Sequence, residues 1–191
     1  YGIGSLKFKG TVENQAMGGI SVYTDSIHVN LRNPASYAGN NLSLYNNEAR
    51  PVKFTVGTSF SSVDLKTTEA TDEAGHSSVD YLALVMPTGR FGIGFGLVPY
   101  SSVGYKLQSR NADDQLQYRY RGDGGLNKVF LGAGYQLTKN LKIGFDAQYN
   151  FGSITNTTIA FGYNNAGELL QFQSREVKRS DLSGFTFNIG L

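Results

Sequence analysis

The chain has 191 residues, with 17 Lys and Arg against 15 Asp and Glu and a formal charge of +2. Charged residues make up only 17% of it, below the ~25% of an ordinary soluble domain. The absence of cysteine excludes disulfides and thiolate chemistry, and no apolar run is long enough for a transmembrane helix. The basic residues are scattered, which argues against a nucleic-acid partner. Gly is abundant at 24 residues, and Tyr and Phe supply 12 each. That profile suits a membrane β-barrel or a soluble β-sandwich, and composition alone leaves both open.

Residues 1–50 are rich in Asn, Ser, Gly and Ala, with only short apolar runs. This predicts a compact, irregular segment. Residues 16–22, Ala-Met-Gly-Gly-Ile-Ser-Val, are expected to pack in an interior. One helical turn is expected to start at Asp25-Ser26-Ile27-His28-Val29. Asn33-Pro34-Ala35-Ser36 reads as a turn, because proline fixes its own φ and biases the preceding residue away from helix.

From Val52 onward the pattern is strand. Val52, Phe54, Val56, Thr58 and Phe60 alternate with Lys53, Thr55, Gly57 and Ser59. Residues 64–77 are polar and are expected to form a solvated loop. Val79, Tyr81, Ala83 and Val85 open the next strand. Pro87-Thr88-Gly89-Arg90 then turns the chain into residues 91–98, where Gly92, Gly94 and Gly96 alternate with Phe91, Ile93 and Phe95. Side chains on a strand alternate between faces. These glycines therefore leave one face bare, so that the N-terminal backbone can approach it.

A second polar loop is expected over residues 108–126. Residues 129–137 and 141–151 form the clearest hairpin, around Thr138-Lys139-Asn140. The second strand of this pair puts Leu141, Ile143, Phe145, Ala147, Tyr149 and Phe151 on one face. Lys142, Asp146, Gln148 and Asn150 fall on the other, with Gly144 among them. An oily face opposite a wet one, about eleven residues long, is the pattern of an outer-membrane barrel strand. A further hairpin is expected over residues 154–161 and 168–177, and residues 185–191 form a last strand. About seven or eight strands follow Val52 on this count.

No catalytic set emerges. His28 and His76 are the only histidines and stand in no metal-binding spacing. Gly92-x-Gly94-x-Gly96 has a period of two inside a strand and is not a dinucleotide fingerprint. Asp113-Asp114 reads as a solvated loop. No enzyme activity, metal or cofactor is expected.

Three stretches carry a resemblance. The first is Gln15-Ala16-Met17-Gly18-Gly19-Ile20-Ser21-Val22, followed by Asp25-Ser26 and Asn33-Pro34-Ala35. The second runs from the Gly-alternating strand at Phe91 to Pro99-Tyr100-Ser101-Ser102-Val103-Gly104-Tyr105. The third is Gly124-Gly125-Leu126-Asn127-Lys128-Val129-Phe130-Leu131-Gly132-Ala133-Gly134-Tyr135. They resemble the FadL/TodX-type outer-membrane transporters of hydrophobic compounds, in the version found in Bacteroidota-type Gram-negative bacteria.

The resemblance implies an all-β, antiparallel transmembrane β-barrel of 14 strands with an N-terminal hatch. It places the hatch at residues 1–45 and barrel strands at 46–191, so that this chain covers about half of the barrel. Its hatch signature falls on Met17, Gly18, Gly19, Asn33, Pro34 and Ala35, and Met17, Ile20 and Val22 are its candidates for contact with ligand. It implies passive uptake of hydrophobic small molecules such as long-chain fatty acids, with the lipid bilayer and that small molecule as partners. Two other readings stand beside it. One is a barrel subunit or carrier in an outer-membrane protein complex, like the PorV-type relatives, with other outer-membrane proteins as partners. The other is a soluble β-rich binding protein.

Overall fold

The computed structural model describes residues 3–20, 28–39, 52–66, 71–111, 113–164 and 166–191. Most of the expected helical turn at Asp25, Val22 and the boundary expected at residues 45–46 lie outside them. The elements are β1 (Ser5–Leu6), α1 (Val12–Ala16), a 3-10 helix (Pro34–Tyr37), β2 (Lys53–Lys66), β3 (Thr71–Thr88), β4 (Phe91–Arg110), β5 (Leu116–Gln136), β6 (Lys142–Ala160) and β7 (Ser174–Gly190). The strands form one antiparallel seven-stranded sheet in the order β2-β3-β4-β5-β6-β7, with β1 paired to β4. No helix among the described residues is long and apolar enough to cross a membrane.

Six long strands replace the seven or eight expected. The expected loop at 64–77 is mostly strand: β2 reaches Lys66, β3 starts at Thr71, and the ladder continues through Ser61↔His76 and Asp64↔Glu73. The expected loop at 108–126 likewise shrinks to the five residues between β4 and β5. Residues 154–160 are the end of β6 rather than a new strand, and β7 takes up residues 174–177 and 185–190 of the strands expected at 168–177 and 185–191, while residues 168–173 lie outside it. The reason is common to all of these. A strand polar on both faces shows no alternation of hydropathy, yet its backbone still satisfies its hydrogen bonds in the ladder. Cross-strand bonds add to it, from Ser62 Oγ to Glu73 Oε1 at 2.7 Å and from Ser59 Oγ to Asp80 Oδ1 at 3.0 Å.

The chain forms two compact units. One comprises residues 8–99, 128–149 and 185–191. Its core is Val29, Leu31, Tyr37, Tyr81, Ala83, Val85, Val98 and Phe130. Over residues 91–96 of β4 and 143–149 of β6 the apolar residues point outward and small or polar ones inward. In β4, Phe91 and Phe95 are exposed while Gly92, Gly94 and Gly96 are buried. In β6, Ile143, Phe145 and Tyr149 are exposed while Gly144, Asp146 and Gln148 are buried. Oily rows cross the strands on the exposed face. Phe54 pairs with Leu84 and Leu84 with Phe95, while Val56 pairs with Leu82 and Leu82 with Leu97. Phe145 and Phe187 stack at 5.7 Å, and Tyr149 lies 5.0 Å from Phe185.

The other unit comprises residues 1–7, 100–127 and 150–184. Here β1 adds to β4 through Ser5↔Ser102 and Leu6↔Ser101. Polar and aromatic contacts hold it. Tyr105 donates to Asn156 at 2.9 Å, Tyr163 donates to the Leu116 carbonyl at 3.0 Å, and the Arg119 guanidinium sits 5.4 Å from the Phe161 ring. The ion pairs Arg121–Asp123 and Arg179–Asp181 are exposed and add little to stability, because water and salt screen them.

Candidate functional site: a buried turn seated on strand glycines

The sequence around Asn33 folds locally before it meets anything else. Asn33 adopts an extended backbone, and its side-chain oxygen accepts from the Ala35 amide at 3.0 Å, capping a 3-10 helix that begins at Pro34. Asn30 Oδ1 accepts from the Arg32 amide at 3.0 Å, and Ser36 Oγ donates to the Asn33 carbonyl at 2.7 Å. Short polar side chains thus satisfy the backbone of a turn. The turn can then be buried without orphaned groups.

It is buried throughout. Residues 34–39 are all enclosed, and Tyr37 is 1% exposed. Four strands meet it with glycine. A Cβ at Gly92 would strike the Tyr37 carbonyl, and one at Gly94 would stand 2.8 Å from the Tyr37 ring. At Gly132 it would stand 2.9 Å from that ring, and at Gly134 2.7 Å from the Pro34 carbonyl oxygen. At Gly144 it would collide with the Ala35 amide, and at Gly190 with Asn33 Oδ1. Gly96 differs: its missing Cβ makes room for the backbone of β3 at Leu82 and Ala83, not for the turn.

Hydrogen bonds tie the turn to the same strands. The Gly39 amide donates to the Gly89 carbonyl at 3.1 Å, and Asn33 Nδ2 donates to the Leu191 carbonyl at 2.9 Å. Asn188 Nδ2 donates both to the Arg32 carbonyl at 3.2 Å and to Asp146 Oδ2 at 3.0 Å. Gln148 donates to Asp146 Oδ1, and Thr186 Oγ1 donates to Gln148 at 3.3 Å. The Asp146 carboxylate, 1% exposed, thus accepts from two side-chain amides, and its charge also acts on the Lys128 ammonium. Lys53, also buried, donates to the His28 carbonyl at 2.9 Å.

Burial pushes the Tyr37 phenol up from its ordinary pKa, and the nearby Asp146 charge pushes it the same way. A raised folded-state value means that Tyr37's contribution to stability is whole below ~pH 10 and is lost as pH rises through the folded value. The expected result is an alkaline absorbance titration in which parent and Tyr37→Phe coincide while folded. The parent gains one extra phenolate only as it unfolds. An extra phenolate in the folded protein near pH 10 would show an open site.

Of the residues singled out from sequence, Asn33, Pro34 and Ala35 come together here. Met17 and Gly18 do not join them, while the Gly19 carbonyl accepts from the Arg32 guanidinium at 2.6 Å at the edge of the segment. Met17 is 47% exposed and Ile20 56%, so residues 16–20 do not pack in an interior as expected. The segment is too short and glycine-rich to bury both, with α1 ending at Ala16 and Gly18 and Gly19 at positive φ. His28 lies 3.9 Å from Glu13, both half exposed. No group of three His, Asp or Glu that could hold a metal stands among the described residues. Sequence reasoning missed the seats at Gly132, Gly134, Gly144 and Gly190, and the Asp146–Asn188 link. The Gly-x-Gly of β5 was the available signal for two of them.

The wall and its seated turn are matched as a whole by one family model, BamG, which covers residues 1–191. The chain belongs to the BamG family. No curated protein and no solved structure matches it. BamG is a Bam-complex-related family, which points to an outer-membrane-related location.

Membership overturns the FadL/TodX-type resemblance. The 14-strand count and uptake of hydrophobic compounds had come with it, and the fold and the family match give neither any support. The residues explain the error. The first of the three stretches contains the turn and the other two contain glycines that seat it, and any β-wall closing on a buried backbone needs glycine there. Those motifs report a close approach, not a transported ligand.

Proposed function

We propose that this chain forms part of a transmembrane β-barrel that serves as a non-enzymatic subunit of an outer-membrane protein complex, the Bam complex. The observation that carries the subunit reading is the BamG match across residues 1–191. The inverted pattern of the strands supports the membrane part. Phe54, Phe95, Phe145, Phe187 and Ile189 are exposed, while Asp146, Gln148 and Lys53 are buried. In water an apolar face of that extent favours aggregation. In lipid it is the surface a barrel needs.

β2 and β7 stand at the two ends of the strand order. Membrane barrels of this type use eight strands or more. The bilayer and other outer-membrane proteins are the partners in this reading.

The test is affinity purification of the tagged full-length protein from native membranes in mild detergent, with mass spectrometry of what accompanies it. Bam components in stoichiometric yield are expected. Recovery of the protein alone would overturn the subunit reading. Release from membranes by alkaline carbonate would overturn the membrane-spanning one.

A further inference from the structure

We infer that residues 28–39 are a fixed keystone, which no folded state of the protein releases, so that the protein has no gate built on displacing this segment. Three observations point the same way.

The first is shape. Six glycines, from β4, β5, β6 and β7, leave room for this one segment. The approach is close enough that a single Cβ at Gly92 or Gly144 would strike its backbone. A departing segment would leave bare backbone and the hole of Tyr37, with nothing on these strands shaped to fill either. Interiors are close-packed, and a void loses its contacts outright.

The second is polarity. Departure would strip the buried Lys53 ammonium of its His28 acceptor and part the Asn188 amide from the Arg32 carbonyl. It would also free the Gly89 and Leu191 carbonyls from the Gly39 and Asn33 donors. Of these groups Lys53 is buried, and a buried ammonium that gives up an acceptor loses part of what offsets its burial; the others each give up a hydrogen bond.

The third is where the anchors lie. They fall on β2, on the turn between β3 and β4, on β7, and on the residue after β7. A lid swings about a few hinge residues and is drawn from the least stable parts of a fold. This segment is tied on every side, and its bonds run to the strands themselves. It opens only when they open.

The inference rests on the packing of one unit and not on the membrane reading, so either can fail alone. The test is hydrogen–deuterium exchange on the full-length protein in detergent, and again after purification with its partners. The amides of Ser36 and Gly39 are expected to exchange within tenfold of the β6 ladder amides in both samples. Exchange a hundredfold faster in either sample would overturn the keystone. Asn188→Ala supplies a second readout. It is expected to raise exchange in residues 33–39 and in β6 by the same factor, because they open together. A rise confined to the segment would reveal independent opening and sink the inference.

Discussion

Gly144→Ala is expected to destabilise the protein by about 3 kcal/mol, at the upper end of what overpacking a core usually costs. The added methyl would meet the amide of Ala35 and the carbonyl carbon of Pro34, and backbone cannot rotate away as a flexible side chain can. The turn that would have to move is itself capped by Asn33 and bonded through Gly39. The comparison is Gly184→Ala, where nothing lies within 4 Å of the new Cβ. That change is expected to fall within ~0.5 kcal/mol of the parent. Denaturant midpoints of the two variants check both numbers. Equal midpoints would mean that the wall and the turn are not in the contact described.

Phe145→Arg separates the membrane reading from a soluble one. Phe145 is 48% exposed and stacks on Phe187. In water its replacement would lose one aromatic pair, worth ~0.5–1.5 kcal/mol. In a bilayer the same arginine is expected to cost ~2–4 kcal/mol if the site is near the midplane. Unfolding of parent and variant in lipid vesicles measures the difference. Spin labels at 145 and 146 give an independent check, with position 145 reached by lipid-soluble relaxing agents and position 146 by neither lipid nor bulk water. Equal accessibility at the two positions would remove the assignment of faces.

What the sequence disclosed follows from where its chemistry alternates. The faces of β6 were legible from Leu141 to Tyr149, because every second residue is apolar and the buried ones between are Gly144, Asp146 and Gln148. The Asn33-Pro34 turn was legible because its capping is local. The far ends of β2 and β3 were not, since Ser61, Ser62, Asp64, Glu73 and His76 are polar on both faces. The role of Gly144 was hidden for another reason: the residues it accommodates lie in a distant part of the chain. The resemblance misled because seating a buried turn and transporting a ligand both place glycine on the inner face. Residue type alone does not tell those two uses apart.

The Asn33 amide meets the Leu191 carbonyl across 158 residues of sequence, and Asn188 meets the Arg32 carbonyl across 156. The consequence concerns time. The turn emerges early in synthesis, yet some of its last bonds wait until β7 has been made. Contacts of such long range fold slowly, because the chain entropy is lost before the contacts form. Throughout that interval the apolar rows of β2 to β6 stand without their finished sheet, in the condition that makes β-proteins aggregate. A chain built in this order gains from being held unfolded until its last strands arrive.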